Sequence, residues 1–342
     1  MGKKKALFIG GTGTISMAIT RSLANNPDWE LYLINRGTRD SELPEGVKVI
    51  YGDVSNEADI KEKISGMKFD CVCDFIGFTL DQVERDYRLF KGITKQYMYI
   101  SSASAYNKPC RNYKITEGTA LANKYWQYSR DKIECEKFLM SKYQSEDFPI
   151  TIIRPSHTYD DRSIPLGVHG NGGSWQVAKR MLEGKPVIIQ GDGTSLWTMT
   201  YNEDFAVGFI GLMGNPHAIG EAFQITSDES ITWNQIYEAI ADALGVELKA
   251  YHVSSEYLAS ICDYDLEGGL IGDKSNTVVF DNSKIKAVVP EFNCTIRFEQ
   301  GVKKVVENVL KHPEYQKEDP EFDAFCDKVI SVLEKTKEEF KQ

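Results

Sequence analysis

The chain has 342 residues, of which 42% are hydrophobic and 26% are charged, and its formal net charge is −10. This composition is typical of a globular protein with a sizeable core. The acidic balance argues against nucleic-acid binding, which needs a basic surface, and no apolar run approaches the roughly 20 residues that cross a bilayer.

The seven cysteines are odd in number and scattered along the chain. They predict a reducing compartment rather than a disulfide framework, so we expect a cytoplasmic protein. Cys71 and Cys73 fall on one face of a predicted strand without a second Cys or His pair. We therefore expect them to be buried thiols and expect no metal site.

The first predicted element is a short buried strand over residues 5–9, and residues 10–16 (GGTGTIS) follow it before a helical pattern. A strand, a glycine turn and a helix in this order predict a phosphate-binding loop. Gly10 permits the tight turn, Gly13 lets the backbone approach a pyrophosphate, and Ser16 stands where a third glycine is usual. The loop residues that we expect at the cofactor are Gly10, Thr12, Gly13, Thr14 and Ile15.

Residues 30–35 predict the second strand, which ends at Asn35-Arg36 with Arg39 close by. An acidic residue here would prefer the free ribose 2′-hydroxyl of NAD, whereas Asn and Arg can pair with a 2′-phosphate. The pattern favours NADP and leaves NAD open. The alternative is that Arg36 is an ordinary surface arginine.

Three further strands are predicted over 47–51, 69–75 and 97–100. Because strands and helices alternate, the chain predicts an α/β fold with a doubly wound parallel sheet, whose ligands lie beyond the carboxyl ends of the strands. Asp53 could accept a hydrogen bond from an adenine amino group or cap the helix that follows. The residues that we expect at the cofactor from these strand ends are Asp53, Val54, Ile76 and Gly77.

Tyr128 and Lys132 are four residues apart on a predicted helix over 125–142, so they share one helical face. A lysine ammonium near a phenol favours the phenolate, and lowering a tyrosine pKa from ~10 by ~3 units takes about 4 kcal/mol. The tuned tyrosine could then exchange a proton with a substrate oxygen. Taken alone, the pair also fits a solvated helical face.

Beyond a sixth strand over 148–153 the alternation weakens, and residues 160–173 predict a loop over a site. Helices are predicted over 174–183, 202–213, 232–244, 296–310 and 320–340, with strands over 187–189 and 222–226. We expect a Rossmann-type NAD(P)-binding domain over 1–160, to which segments at about 190–226 return. A smaller C-terminal α/β substrate-binding domain would consist mainly of 161–342.

Together these motifs resemble the extended, atypical short-chain dehydrogenases/reductases of the NAD-dependent epimerase/dehydratase type. The resemblance rests on Gly10-Gly11-Thr12-Gly13, Gly52-Asp53, residues 101–106, Tyr128-x-x-x-Lys132 and Arg154-Pro155. Residues 280–284 further resemble a branch that includes the chloroplast stem-loop-binding proteins. The resemblance implies a catalytic set of Ser102, Tyr128 and Lys132, with Lys132 also bonding the nicotinamide ribose, and it implies that Pro155 and His157 lie near the nicotinamide.

Two departures from the family pattern narrow the chemistry that the resemblance implies. Ala103 and Ser104 stand where 4,6-dehydratases carry Asp-Glu, which excludes that reaction. Trp197 stands where many nucleotide-sugar enzymes carry an arginine that clamps the diphosphate, so a UDP-sugar substrate is disfavoured.

Three functions remain open for a small-molecule substrate. The first is an NAD(P)-dependent oxidoreductase that transfers hydride at a secondary alcohol or ketone, with Tyr128 as acid or base. The second is an epimerase of a sugar or nucleotide-sugar that retains its cofactor, and the third is a non-catalytic, RNA-associated or regulatory protein of this fold. A homodimer is the default expectation. The aromatic residues that could line a substrate site, or else pack in the core, are Phe78, Tyr106, Trp126, Trp175 and Trp197.

Overall fold

The computed structural model describes residues 2–39, 42–262 and 264–341. In chain order, its first elements are β1 (Lys4–Ile9), α1 (Ser16–Ala24), β2 (Trp29–Asn35), β3 (Lys48–Tyr51), α2 (Glu57–Lys63), β4 (Cys71–Asp74), α3 (Leu80–Phe90), β5 (Tyr97–Ile100), β6 (Lys114–Ile115), α4 (Gln127–Glu146), β7 (Ile150–Pro155) and β8 (His157–Tyr159). The later elements are α5 (Trp175–Leu182), β9 (Val187–Gln190), β10 (Leu196–Trp197), β11 (Met199–Tyr201), α6 (Asn202–Leu212), β12 (Glu221–Ile225), β13 (Ile231–Thr232), α7 (Trp233–Leu244), β14 (Ala250–Val253), α8 (Ser255–Ser260), β15 (Val279–Phe280), α9 (Ser283–Val288), α10 (Phe298–Lys311) and α11 (Pro320–Glu339).

A seven-stranded parallel sheet organises the molecule, with strand order β12-β7-β5-β4-β1-β2-β3. The chain runs outward from β1 to β3 on one side and from β4 to β12 on the other. The order therefore reverses between β1 and β4, which pair from Ala6–Cys71 to Ile9–Asp74. Ligands bind at such a switch point, outside the carboxyl ends of the strands. The prediction of a doubly wound α/β fold is confirmed.

The sheet is stable because both of its faces are covered. Leu7, Ile9 and Val72 point to one apolar cluster, whereas Phe8 and Cys73 point to the other, as the alternation of side chains along a strand requires. Cys71 and Cys73 are both buried and unbridged, with their Sγ atoms 3.6 Å apart. Their prediction as core thiols agrees with this burial.

The C-terminal part of the chain has its own apolar cluster, built around α5, α7, α10 and α11. Trp233, Ile236 and Ile240 of α7, which recur at helical spacing, are completely buried there, so this face of the helix is core. β12 from this half of the chain closes one edge of the central sheet. The division into domains at residue 160 stays a prediction.

Several short elements differ from the sequence prediction. The pairs β8–β11, β6–β15, β9–β14 and β10–β13 contain strands of two to four residues, too short to give a periodic signal, and of these eight strands β9 alone was predicted, over 187–189. A π-helical segment, Glu267–Lys274, was also not predicted. In the described ranges, no helix is long and apolar enough to cross a membrane.

Candidate active site

A cavity of about 840 Å³ lies at the carboxyl ends of the parallel strands, at the switch point of the sheet. We call it the cofactor cleft. The predicted residues that line it are Gly10, Thr12, Gly13, Thr14, Ile15, Asn35, Arg36, Asp53, Val54, Ile76, Ser102, Tyr128, Lys132 and Pro155. These residues come from six different strand ends and from α4. The fold therefore gathers into one cleft groups that are up to 145 positions apart in the chain.

The glycine loop has the geometry that a phosphate-binding turn needs. Gly10 has φ +86°, and a Cβ there would lie 2.5 Å from Cγ2 of Ile76, so both conformation and space require glycine. Ser16 Oγ donates to the Gly10 carbonyl (2.8 Å) and accepts from the Gly13 N–H (2.9 Å). Ser16 thus ties the loop together from the position where a third glycine is usual. A Cβ on Gly13 would meet only Ser16 Oγ, at 3.5 Å, so space for a ligand remains beside it.

The far end of the cleft is polar and mixed in charge. Asp53 Oδ1 accepts from the N–H and the hydroxyl of Ser55, and these hydrogen bonds lower the pKa of Asp53. Asn56, not Asp53, caps α2, because its side chain accepts from the N–H of Asp59. The Arg36 side chain is 70% exposed, and its Nη1 lies 4.0 Å from Asp53 Oδ2. The Arg36 guanidinium is therefore only loosely held and can pair with a ligand.

Two buried polar atoms in this cleft lack a hydrogen-bond partner among the residues described. They are Nδ2 of Asn35 and Oγ of Ser101, and both residues line the cleft. A buried donor without a partner costs about 1–3 kcal/mol, so a ligand that supplies acceptors here is favoured. Together with the open space at Gly13, these atoms fit a dinucleotide whose phosphates lie at the amino end of α1.

Lys132 is almost completely buried beneath the cleft. Its Nζ donates to the carbonyls of Gly77 and Ile100, both at 2.7 Å, and lies 5.8 Å from the ring centroid of Tyr128. Burial lowers the pKa of Lys132 to about 8. An ammonium has three donors, and the two carbonyls leave one for another partner. Gly77 was predicted at the cofactor, but it does not line the cleft. Its carbonyl instead accepts from Lys132.

Tyr128 differs from the expectation that Lys132 would lower its pKa. Burial raises the pKa of Tyr128 to about 12, and the hydrogen bond from Ser102 offsets only part of this effect. The Lys132 ammonium is directed at two backbone carbonyls and does not overcome the loss of solvent. The phenol is therefore neutral at pH 7 and can donate its proton.

A chain of buried hydrogen bonds ends at Ser102. Asn123 Nδ2 donates to Ser129 Oγ (3.3 Å), and Ser129 Oγ donates to Ser104 Oγ (2.8 Å). Ser104 Oγ lies 2.8 Å from Ser102 Oγ, which also accepts from the Ser104 N–H at 3.1 Å. Because Ser104 Oγ accepts from Ser129, its own proton is available to donate to Ser102 Oγ. With Ser104 as the donor of that pair, the proton of Ser102 is left free for the hydrogen bond to Tyr128.

A second cavity, of about 390 Å³, adjoins the cofactor cleft and shares Thr14, Ile15, Ser102, Tyr128 and Ser156 with it. We call it the side cavity. Two of the predicted aromatic residues, Trp126 and Trp197, line it. His157, which was predicted at the cofactor, also lines the side cavity and not the cleft.

The remaining aromatic predictions are scattered. Phe78 lines the cofactor cleft and is half exposed. Tyr106 is completely buried, and its hydroxyl donates to Gln224 Oε1, so it is a core residue. Trp175 lines a separate cavity of about 200 Å³ beside Arg162. Arg154 is also structural, because it forms a bidentate buried ion pair with Glu136.

Sequence reasoning missed several polar residues of the site. Lys108, Asp273 and Lys274 line the side cavity, and Asn123 and Ser129 hold the hydroxyl chain. Lys108 lies in a segment that the sequence predicts as a loop, and Lys274 ends a π-helical segment that has no sequence signal. The position of Ser129 beside Tyr128 was the one available indication.

The model of the NAD dependent epimerase/dehydratase family matches residues 6–226. The 2′-dehydrokanamycin reductase of Streptomyces kanamyceticus is 23% identical over 255 residues, which cover 75% of this chain and 71% of the reductase. The chloroplast stem-loop binding protein of 41 kDa b of Arabidopsis thaliana is 27% identical over 256 residues, covering 71% of this chain and 64% of the plant protein.

Solved structures share the fold. Epimerase Mth375 of Methanothermobacter thermautotrophicus superposes with a TM-score of 0.75 at 14% identity, covering 91% of this chain and 94% of the epimerase. UDP-glucuronic acid 4-epimerase from Bacillus cereus, in complex with NAD, gives a TM-score of 0.71 at 17% identity over 90% and 96% of the two chains. Since the family model spans more than half of the residues, this chain belongs to the NAD-dependent epimerase/dehydratase family.

Proposed function

We propose that the protein is an NADP-preferring oxidoreductase that reduces a ketone to a secondary alcohol, with Tyr128 as the acid. The observation that carries this proposal is the pair of proton donors, Ser102 and Tyr128, at the junction of the cofactor cleft and the side cavity. Tyr128 is neutral at pH 7, and a Ser104 hydroxyl that donates to Ser102 leaves the Ser102 proton free for Tyr128. Two donors suit a carbonyl oxygen, on which negative charge develops during reduction.

Three residues of the chain have separate roles in the proposed reduction of the ketone. A bound nicotinamide would supply the hydride that adds to the carbonyl carbon. Ser102 and Tyr128 hold the carbonyl oxygen, and Tyr128 gives its proton to that oxygen as the C–O double bond becomes single. The Lys132 ammonium, held by two carbonyls beside the Tyr128 ring, stabilises the phenolate that this transfer leaves.

The preference for NADP rests on charge at the far end of the cleft. Asn35, Arg36 and Arg39 line it where the adenosine ribose would lie, and Arg36 is loosely engaged by Asp53. A guanidinium can pair with a 2′-phosphate through two hydrogen bonds. The B. cereus epimerase named above binds NAD, so the choice between the two cofactors is a proposal for this chain.

A second function, epimerisation with retained cofactor, is favoured by one contact. Arg162 Nη1 donates to the Thr12 carbonyl of the glycine loop (3.2 Å) and to Glu42 Oε2 (3.1 Å), while Nε and Nη2 hold Asp160. Arg162 thereby links the residues after β8 to the glycine loop. Such a link would slow the exchange of a bound dinucleotide, as an epimerase requires.

The two functions are separated by the fate of the cofactor. We would screen ketones of cyclic alcohols and sugars with stoichiometric NADPH and follow the nicotinamide absorbance. A reductase consumes one NADPH for each alcohol formed. Isomerisation of a sugar at a catalytic amount of cofactor, without net oxidation of NADPH, would reject the reductase proposal and support the epimerase.

A further inference from the structure

The polar residues on the wall of the side cavity include several hydrogen-bond donors. Trp126 Nε1 donates to Asp265 Oδ2 (2.7 Å) and Trp197 Nε1 donates to His157 Nδ1 (3.2 Å). Both indole N–H groups are therefore hydrogen-bonded within the protein. The two rings therefore offer the cavity only apolar surface, and the share of Trp197 is small because this residue is 3% exposed. Polar recognition falls to the other residues of the wall.

His157 is one of these donors. Burial lowers the pKa of His157 to about 3, so its ring is neutral at pH 7. Because Nδ1 accepts from Trp197, the ring proton lies on Nε2, which can donate. Thr158 adds a hydroxyl whose Oγ1 is buried without a partner in the described part of the chain. Both residues line the side cavity.

Of the two lysines that line the side cavity, Lys108 forms an ion pair and Lys274 forms none among the described residues. Lys108 is buried, and its Nζ lies 3.4 Å from Asp273 Oδ1, so these two groups neutralise each other. Lys274 Nζ has no carboxylate oxygen within ion-pairing distance among residues 2–39, 42–262 and 264–341, and it lies 6.0 Å from the centroid of the Trp126 ring. Burial lowers the pKa of Lys274, while Asp273 and Asp265 partly oppose this shift. Lys274 is partly buried, and a cation that is partly removed from solvent without a direct partner favours an anionic ligand.

We propose that Lys274, with His157 and Thr158, binds an anionic group, a phosphate or a carboxylate, on a ring-shaped substrate whose ketone is reduced at Tyr128. The inference rests on the proposed function for the position of the ketone. The two indoles would cover the ring, and the anion would lie beyond it. Lysine is a point charge, unlike the arginine that clamps a diphosphate, so a single anionic group is the better match. The anion subsite is distinct from the cofactor cleft, since Lys274 does not line that cleft.

The test measures binding without turnover. Full-length protein saturated with NADP⁺ is titrated calorimetrically with D-glucose 6-phosphate, D-glucuronate and D-glucose. We expect at least one anionic sugar to bind about tenfold more tightly than D-glucose, and the stronger of the two identifies the anion as phosphate or carboxylate. Raising the salt concentration should weaken the binding of that anionic sugar and leave the affinity for D-glucose unchanged.

Variants locate the effect. Lys274→Met should abolish the preference for the anionic sugar, Lys274→Arg should keep most of it, and Lys303→Met, at an exposed position on α10, should change nothing. Equal responses to the three sugars in the wild type, including no binding by any of them, would overturn the proposal. So would an anion preference that persists in Lys274→Met. The salt series needs no variant, so the test stands even if Lys274→Met does not fold.

The proposal and the proposed function fail in different ways. Reduction of uncharged ketones with no anion preference would reject the subsite and keep the reductase. Anion-selective binding that depends on Lys274, without NADPH oxidation on any ketone, would keep the subsite and reject the reductase.

Discussion

Replacing Ser104 with alanine tests whether the hydroxyl chain directs the proton of Ser102. In the wild type, Ser104 Oγ accepts from Ser129 and lies 2.8 Å from Ser102 Oγ. The variant removes both hydrogen bonds and leaves the buried Ser129 hydroxyl without its acceptor. The Ser102 hydroxyl keeps the bond from the backbone N–H of residue 104 but loses the Ser104 hydroxyl, the partner that would hold its proton toward Tyr128.

The expected magnitudes follow from these lost contacts. Two neutral hydrogen bonds contribute about 1–3 kcal/mol to the free energy of unfolding. Removing an oxyanion donor entirely costs about 2.7–4 kcal/mol in catalysis, and misdirecting one should cost a fraction of that. We therefore expect kcat to fall about tenfold, or about 1.4 kcal/mol, while the KM for the cofactor stays unchanged.

The assay is steady-state NADPH oxidation in a double-mutant cycle with Ser102→Ala. If Ser104 acts only through Ser102, Ser104→Ala should lower kcat in the wild type and have no further effect in the Ser102→Ala background. Ser141→Ala, an exposed serine on α4 that bonds the Phe138 carbonyl, is the matched control. Equal losses of kcat in both backgrounds, or lower stability with kcat intact, would refute this reasoning.

Two further predictions concern charge. Arg36→Ser should weaken the binding of NADPH by roughly 1–2 kcal/mol, about 5- to 30-fold, and leave the affinity for NADH unchanged in a fluorescence titration. Equal losses of affinity for both cofactors would contradict a 2′-phosphate contact. Burial and the nearby Asp74 raise the pKa of Asp86, so its contribution to stability is full below the pKa of an unfolded aspartate and is lost as pH rises through the folded-state pKa. In denaturant titrations, Asp86→Asn should therefore gain stability over the wild type with rising pH, and a pH-independent difference would argue otherwise.

The parts of the site that local sequence determines were predictable. The glycine loop joins β1 to α1 within a few residues, and Tyr128 and Lys132 share a helical face, so spacing alone indicates both features. The doubly wound sheet followed from the alternation of strands and helices. The three functional classes could not be narrowed further from the same patterns, because they share the fold.

The side cavity could not be predicted, because it depends on contacts between distant segments. Asn123 bonds the carbonyl of Gly272, 149 residues away, and Lys108 meets Asp273. No periodic pattern connects such residues. The prediction that the pKa of Tyr128 is lowered was wrong for a similar reason. Burial raises this pKa, and helical spacing does not reveal burial. The third alternative, a non-catalytic, RNA-associated or regulatory protein, stays a prediction.

The central claim is that Tyr128 donates the proton in an NADPH-dependent reduction. The most direct measurement compares Tyr128→Phe with the wild type on the best ketone of the screen, together with NADPH binding by fluorescence. General acid catalysis contributes about 10²–10⁴-fold, so turnover should fall by that factor while the affinity for NADPH stays the same. Undiminished turnover in Tyr128→Phe, with NADPH bound normally, would contradict the account.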